Sequence, residues 1–366
     1  MSATPAAPQP ILTGAPSTHG RDFGLDIARA TAIGMVLVVH GITVAGMPFL
    51  SEFFTGVDLF FVLSGFLIGR IYFVASARQQ FRLLDFWRSR WWRTLPPYYA
   101  MLAGFWLTSH PLPFYYWLFA QNYAGAVGFV PSWSLCVEEH FYLALPLIGI
   151  AITRLSGRRS FRYWLPIAFF VPLTMRFLSY AFSGALPADW AFLTHFHCEG
   201  LIIGVWLAYL NVDHPQLFAR IRPAAVWLTP LVPAMLTLIP LWPHRPFAID
   251  LLTPTLYAIG YGAWVRVLYG AREWRGSTIG AVVARVVRAV ALCSYSLYLT
   301  HTDISIWARS HLTELHRGPV RSLIVFGAEF AAGAVFYFLL ERPSIRIRDG
   351  LRARRDRIRE QAAPRS

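Results

Sequence analysis

The sequence predicts an all-α, polytopic membrane protein, a bundle of about ten transmembrane helices, from three observations. First, 56% of the 366 residues are apolar and only 14% are charged, whereas about a quarter of the residues are charged in a typical soluble domain. Second, apolar runs long enough to cross a bilayer recur along the chain. Third, the positively charged residues are concentrated in alternate connecting segments.

Ten apolar runs have the length of roughly 17 to 25 residues that a transmembrane helix needs. The third run adjoins the aromatic stretch Phe114 to Tyr123, for which a re-entrant or interfacial piece is the alternative. The predicted spans are 25–48, 53–75, 94–112, 133–153, 163–182, 192–211, 224–242, 249–269, 286–308 and 319–341.

The arginine residues predict how the bundle is oriented. All 33 basic residues are Arg, and 25 of them lie in the segments 76–93, 154–162, 211–223, 266–288 and 342–366. Arg is enriched in cytoplasmic loops, so the predicted topology is N-in and C-in, in the cell (plasma or inner) membrane. The net charge of +14 then reflects topology and contact with anionic membrane lipids, and no nucleic-acid partner is expected.

One membrane domain is expected between two short tails. Residues 1–24 are rich in Ala, Pro, Thr and Gly and are predicted to be a disordered cytoplasmic tail. Residues 25–343 form the transmembrane domain, and residues 344–366 form a basic cytoplasmic tail that could be an amphipathic helix on the inner leaflet. The three Cys residues do not have the spacing of a metal knuckle, so no metal is expected.

The first span carries two ionisable residues on one helical face. Arg29 and His40 are eleven residues apart, and at 100° per residue eleven steps return to within about 20° of the starting direction. The two side chains would sit roughly 16 Å apart along that face. Ionisable residues at membrane depth usually face the bundle interior or a wet cavity, so a polar seam through part of the membrane is predicted.

Four further spans place polar residues at the predicted depth of His40, counting 1.5 Å of helix per residue. Packing or an interhelical hydrogen bond is the alternative explanation for any one of them, but a whole layer of costly groups indicates a functional site. The layer comprises Asp58 in span two, Glu138 and Glu139 in span four, His195, His197 and Glu199 in span six, and Tyr298, His301 and Asp303 in span nine.

A second polar group lies at the predicted cytoplasmic face. Arg90 and Arg93 are three residues apart on one helix face beside Trp residues, and Arg29 lies near the same face. Guanidinium groups match phosphate geometry, so an anionic ligand is one interpretation. Ordinary anchoring by positive residues at the inner face is the other. Arg176 in span five is a further intramembrane cation for which the sequence indicates no partner.

Motifs between residues 25 and 343 resemble, in order, those of the acyltransferase family 3 membrane proteins, which O-acylate sugars, polysaccharides, glycolipids and some antibiotics. The spacing of Arg29 and His40 is similar to the family's Arg, ten residues, His signature. His140 stands where Gln is common, and His197-Cys198-Glu199 stands where Arg-x-Asp is expected. The other matching segments are 56–68, 90–96, 133–142, 294–301 and 341–343.

The resemblance implies a ten-helix bundle, a cytoplasmic acyl-CoA donor and an acceptor hydroxyl usually reached from the far side of the membrane. We therefore predict an integral membrane O-acyltransferase of the cell envelope. Its donor would be acyl-CoA, with acetyl-CoA the commonest in the family, and its acceptor a sugar, polysaccharide, glycolipid or small-molecule hydroxyl.

Acyl transfer to a hydroxyl needs a base, charge stabilisation at the carbonyl and exclusion of water. His40 is the candidate general base, oriented by Asp58 or Glu138. His301 and Tyr298 are candidates for positioning the acceptor or the oxyanion. Direct transfer and an acyl-His intermediate are both compatible with these residues.

Arg29, Arg90 and Arg93 are predicted to bind the phosphates and the pantetheine end of the donor. The alternative function is a proton-coupled transporter or exporter, in which the same His and carboxylate side chains relay protons or bind solute. An assay for release of CoA from acetyl-CoA separates the two functions.

Overall fold

A computed structural model describes residues 21–45, 48–108, 110–125, 128–242, 246–274, 276–312 and 319–362. Within these ranges the chain is helical and contains no β-strand, which confirms the all-α prediction. The predicted N-terminal tail lies outside the described residues except for its last four, 21–24.

Thirteen α-helices lie within the described ranges, and a π-helical turn, Tyr337–Glu341, joins the last two. The first helix begins at Phe23, two residues before the predicted membrane domain. The helices are α1 Phe23–Ala45, α2 Gly56–Ala77, α3 Leu83–Leu107, α4 Ser132–Ser156, α5 Phe161–Ser183, α6 Glu199–Asp213, α7 Pro215–Arg220, α8 Arg222–Leu228, α9 Leu231–Leu238, α10 Phe247–Leu268, α11 Thr278–His311, α12 Pro319–Phe336 and α13 Arg342–Ala362.

Six helical stretches in the described part of the chain are long and apolar enough to cross a membrane. They support a multi-pass membrane protein, whereas the count of ten spans and the N-in, C-in orientation stay predictions. The six stretches are Phe23–Gly41, Glu52–Ala77, Ser132–Ser156, Arg158–Ser183, Thr278–Ala308 and Val320–Arg355.

Three of the other predicted spans differ from the observed helices in where they begin, how long they are or whether they are continuous. The helix that contains the third span, α3, begins at Leu83, so part of the Arg-rich segment before that span is helical. The sixth is represented by α6, whose 15 residues extend only about 22 Å, less than the roughly 30 Å of a hydrocarbon core. The seventh is divided into α8 and α9 before Pro230, because proline has no N–H to continue the helix.

Helices α2 and α6 pack backbone against backbone. A Cβ atom at Gly65 would lie 2.0 Å from the carbonyl oxygen of Leu201, and one at Gly204 would lie 2.3 Å from that of Val62. Only glycine fits at such a close approach. This contact holds the beginning of α6 beside the beginning of α2, where the predicted site residue Asp58 lies.

The aromatic segment between α3 and α4 packs back onto both helices. Tyr98 is buried in α3 and donates its hydroxyl to the Tyr116 carbonyl at 2.9 Å. Gln121 is also buried and donates from Nε2 to the carbonyl of Ser132 at 2.9 Å. These hydrogen bonds position the first turn of α4.

Candidate active site

Five helices, α1, α2, α3, α4 and α11, surround a cavity of about 90 Å³ in the described part of the chain. Five of the eight candidates named from the sequence line it: Arg29, Arg90, Arg93, Glu138 and Tyr298. The remaining polar lining residues are Ser64, Thr94, Ser134, Tyr142, Ser294 and Tyr295, and the apolar ones are Val57, Phe60, Phe61, Leu63, Leu67 and Leu135.

One end of the cavity is rich in guanidinium groups. Arg29 Nη1 is 3.0 Å from Oδ1 of Asp26, a buried carboxylate that Arg21 also contacts at 2.6 Å. Arg93 lies within electrostatic range of both Arg29 and Arg90, so the three guanidinium groups are neighbours. The Nε atom of Arg90 is buried and has no hydrogen-bond partner among the described residues. Guanidinium groups therefore outnumber carboxylates here, and an unused donor is available to an anion. We call this region the arginine end.

Glu138 and Glu139 are consecutive but have separate surroundings, because consecutive helical residues point 100° apart. Glu138 lines the cavity and accepts a hydrogen bond at 2.6 Å from Ser64 Oγ. Glu139 is buried and accepts one at 2.8 Å from Thr94 Oγ1. The first carboxylate thus belongs to the site, and the second joins α4 to α3.

Tyr298 and Ser134 form another part of the wall, and their hydroxyl oxygens are 2.6 Å apart. The Tyr298 ring centroid is 5.5 Å from that of His301. The His301 ring in turn meets the His40 ring edge-to-face at 4.6 Å. The two predicted imidazoles are therefore neighbours that lie behind Tyr298 and not on the cavity wall itself.

The hydrogen bonds of both imidazoles indicate their tautomers. His40 Nδ1 is 2.8 Å from the Val36 carbonyl oxygen, and His301 Nδ1 is 2.7 Å from that of Tyr298. A carbonyl oxygen only accepts, so Nδ1 carries the hydrogen and the lone pair of the neutral ring is at Nε2. For His301 this atom accepts from the Thr302 hydroxyl at 3.1 Å. In the neutral His40 ring the lone pair is likewise at Nε2.

Asp58 hydrogen-bonds His197, which corrects one of the two pairings expected for His40, with Asp58 or with Glu138. Oδ1 of Asp58 is 2.7 Å from Nε2 of His197, and Nδ1 of that ring donates to the Ala191 carbonyl at 2.7 Å. Both side chains are buried and neither lines the cavity. The pair joins the beginning of α2 to the turn before α6.

Arg176 has the partner that the sequence did not reveal. Its Nη2 is 2.6 Å from Oε1 of Glu199, and both side chains are fully buried. Thr255 Oγ1 accepts from Arg176 at 2.8 Å and donates to Glu199 at 2.9 Å. The other guanidinium nitrogens donate to the carbonyls of Phe196 and Leu251. This arginine network links α5, α6 and α10 away from the cavity.

Sequence reasoning missed several hydroxyl groups of the cavity wall. Ser64, Ser134 and Tyr295 line it, and the Tyr295 hydroxyl donates to the Thr94 carbonyl at 2.7 Å. A signal for one of them was available, since Ser134 lies four residues before Glu138 and residues four apart share a helix face. No pattern within a single segment pointed to Ser64 as the partner of Glu138.

Comparisons with known proteins identify the family of this chain and some of its relatives. A family model described as an acyltransferase domain, of acyltransferase family 3, matches residues 22–344. The O-acetyltransferase OatA of Staphylococcus aureus strain NCTC 8325 is 28% identical over 211 residues, which cover 51% of this chain and 34% of OatA. OatA of strain COL gives the same values.

The chain thus spans about a third of the length of these curated relatives. No solved structure matches it significantly. Because the family model covers most of the sequence, the resemblance seen in the motifs is confirmed, and the chain belongs to acyltransferase family 3.

Proposed function

We propose that this chain is a multi-pass O-acyltransferase of the cell membrane, which moves an acetyl group from acetyl-CoA to a hydroxyl of a carbohydrate, glycolipid or similar acceptor. The observation that carries the proposal is the cavity. Its arginine end has three guanidinium groups, and Tyr298 lies elsewhere on its wall, with His301 and then His40 behind the tyrosine ring. Family membership supports acyl transfer, and the names of the relatives support O-acetylation.

The donor is expected to bind at the arginine end. Arg29, Arg90 and Arg93 offer planar, permanently charged donors to the phosphates of CoA. The volume of about 90 Å³ is smaller than the roughly 300–1,000 Å³ of pockets that enclose drug-sized ligands. The adenosine phosphate portion would therefore stay at the arginine end, while the thin pantetheine chain passes along Phe60 and Leu63.

The transfer step needs a base near the acceptor hydroxyl. His40 Nε2 takes the hydroxyl proton as the acceptor oxygen attacks the thioester carbonyl carbon. The C–O bond forms, the C–S bond breaks, and the thiolate of CoA leaves with the electron pair. The proton held by His40 is then returned to the thiolate, so that no net charge accumulates.

The hydroxyls of Tyr298 and Ser134 are suited to stabilising the oxyanion, because both residues line the cavity and the Tyr298 ring lies beside that of His301. Preorganised donors of this kind contribute a large part of the rate in acyl transfer. Apolar residues such as Phe61 and Leu135 on the wall would keep water from hydrolysing the thioester. Glu138, held by Ser64, would orient donor or acceptor groups from α4.

The orientation of the reaction follows from the arginine distribution. With the N-terminus in the cytoplasm, Arg29 near the beginning of α1 lies toward the cytoplasm, where CoA donors are available, and His40 lies toward the far face. The acceptor would then be reached from that face.

The proposal is tested with purified full-length protein in lipid vesicles supplied with labelled acetyl-CoA, with and without an extract of envelope glycans and lipids. Acceptor-dependent release of CoA and transfer of label to an acetyl ester are expected. A proton-coupled transporter would release no CoA. Without acceptor, an acyl-His route leaves label on the protein after an acid-free quench, and direct transfer leaves none.

A further inference from the structure

A groove between α3, α11 and α12 is separate from the central cavity. It has a volume of about 440 Å³, against about 90 Å³ for the cavity. Its walls are apolar and include Met101, Ile304, Val335 and Leu339, but they also contain the carboxylate Asp303. A carboxylate is an unusual component of a groove otherwise suited to hydrocarbon.

The groove opens toward the lipid. Val335 and Leu339 are 57% and 69% exposed, and both belong to a stretch that is able to cross a membrane. Asp303 is five residues inside the end of the other such stretch, at Ala308, which corresponds to about 8 Å of helix. The groove is therefore reached sideways from the bilayer at a depth below the head groups.

One oxygen of the Asp303 carboxylate lacks a hydrogen-bond donor. Its Oδ2 atom is buried and has no partner among the described residues. Thr300, the other polar residue of the groove, donates its hydroxyl to the Ser296 carbonyl at 3.0 Å and so cannot serve the carboxylate. Leaving a buried polar group without a partner is costly. A rotation about the terminal torsion, which is soft in Asp, presents either oxygen to the groove.

We propose that this groove is a binding site for a long-chain lipid alcohol, with its chain along α12 and its hydroxyl donating to Asp303. The occupant needs a hydrocarbon chain, because the walls are apolar and face the lipid. It also needs an O–H donor with a small, uncharged head, because a phosphate or choline group would have to be desolvated at this depth. A polyprenol and a diacylglycerol both have this chemistry. The inference does not depend on the proposed acyl transfer.

The experiment uses the full chain in phosphatidylcholine vesicles with three photoreactive diazirine probes: a geranylgeraniol analogue, its methyl ether and a diacylglycerol analogue. Labelling of α11 or α12 peptides by at least one alcohol is expected, about tenfold above the ether, because the ether has no donor for Asp303. The alcohol probe that labels the protein more strongly shows whether the occupant is a polyprenol or a diacylglycerol. Equal labelling by alcohol and ether would show an ordinary annulus of lipid and overturn the proposal.

Variants separate the site from a folding defect. Asp303→Leu is expected to reduce labelling by the alcohol about tenfold, and Ala332→Trp, which fills the groove from the facing helix, is expected to abolish it. The matched control is Glu329→Gln, since Glu329 is a buried carboxylate of α12 that does not line the groove. Monodispersity in detergent is measured for each variant. Undiminished labelling of monodisperse Asp303→Leu and Ala332→Trp proteins would contradict the proposal.

Discussion

Two regions of this protein bury arginine and glutamate together, but they satisfy them differently. In the network of α5, α6 and α10, every guanidinium nitrogen of Arg176 has an acceptor, and Glu199 is its ion partner. In the cavity, Arg90 Nε has no acceptor in the described part of the chain, and Glu138 accepts a 2.6 Å hydrogen bond from the Ser64 hydroxyl. The fully paired guanidinium of Arg176 stabilises the fold, although Oε2 of Glu199 has no hydrogen-bond partner among the described residues. The unpaired donor of Arg90 is available to a ligand.

The largest effect is expected from substituting one of the two imidazoles that lie behind Tyr298. His40→Ala removes the proposed base and is expected to lower acetyl transfer by about 10²–10⁴-fold, measured as acceptor-dependent CoA release from vesicles. His110→Ala is the matched control, because His110 is exposed and outside the site. A His40→Ala protein with full activity would remove this residue from the mechanism.

The next largest effect concerns the closed network. Arg176→Met leaves Glu199 buried without its cation, and loss of one partner of a buried pair costs roughly 3–5 kcal/mol. We expect a strong drop in the temperature at which the detergent-solubilised protein loses its monodisperse peak. If this variant stayed as stable as the native protein but lost activity, the Arg176 network would belong to the active site. The distinction between a structural network and a ligand-binding cavity would then be wrong.

A smaller effect is expected at the arginine end. Arg90→Gln removes a charged donor from the proposed phosphate site, so KM for acetyl-CoA should rise about 10- to 100-fold, with little loss of thermal stability because Arg90 Nε has no protein partner to lose. Arg88→Gln on the exposed side of α3 is the control. An unchanged KM in Arg90→Gln would argue for simple membrane anchoring.

The smallest effect comes from two equivalent hydroxyls. Ser64 donates to Glu138 and Ser296 to Glu341, both at 2.6 Å, but only Ser64 lines the cavity. Each Ser→Ala change should cost about 1 kcal/mol of stability. Only Ser64→Ala is expected to change kcat or KM, by roughly fivefold, in the same CoA assay. Equal kinetic effects of both substitutions would mean that the position of Ser64 on the cavity wall has no special importance for the reaction.

Much of the site was predictable because it depends on spacing within one helix. Arg29 and Glu138 line the cavity as expected, and so do Arg90 and Arg93. Helical periodicity places side chains on a common face without knowledge of the neighbours. The adjacency of His40 and His301, by contrast, was only implied by depth, and the structure supplies the 4.6 Å contact.

Pairing between helices was not predictable in the same way. Asp58 or Glu138 was expected to orient His40. Asp58 is found beside His197, because glycines let α2 and α6 approach more closely than a count of depth can show. The length of the sixth predicted span, 192–211, was also wrong, because short 3₁₀ turns precede Glu199, where the regular helix α6 begins.

The sequence by itself determined the helical class, the apolar surface and which residues share a helix face, because these follow from composition and from the 3.6-residue period of the chain. The tertiary structure alone decided which polar groups meet. A carboxylate such as Glu199 or Glu138 becomes a structural partner or a member of the cavity wall according to the helix packed against it, and that packing depends on side-chain shapes distant in the sequence.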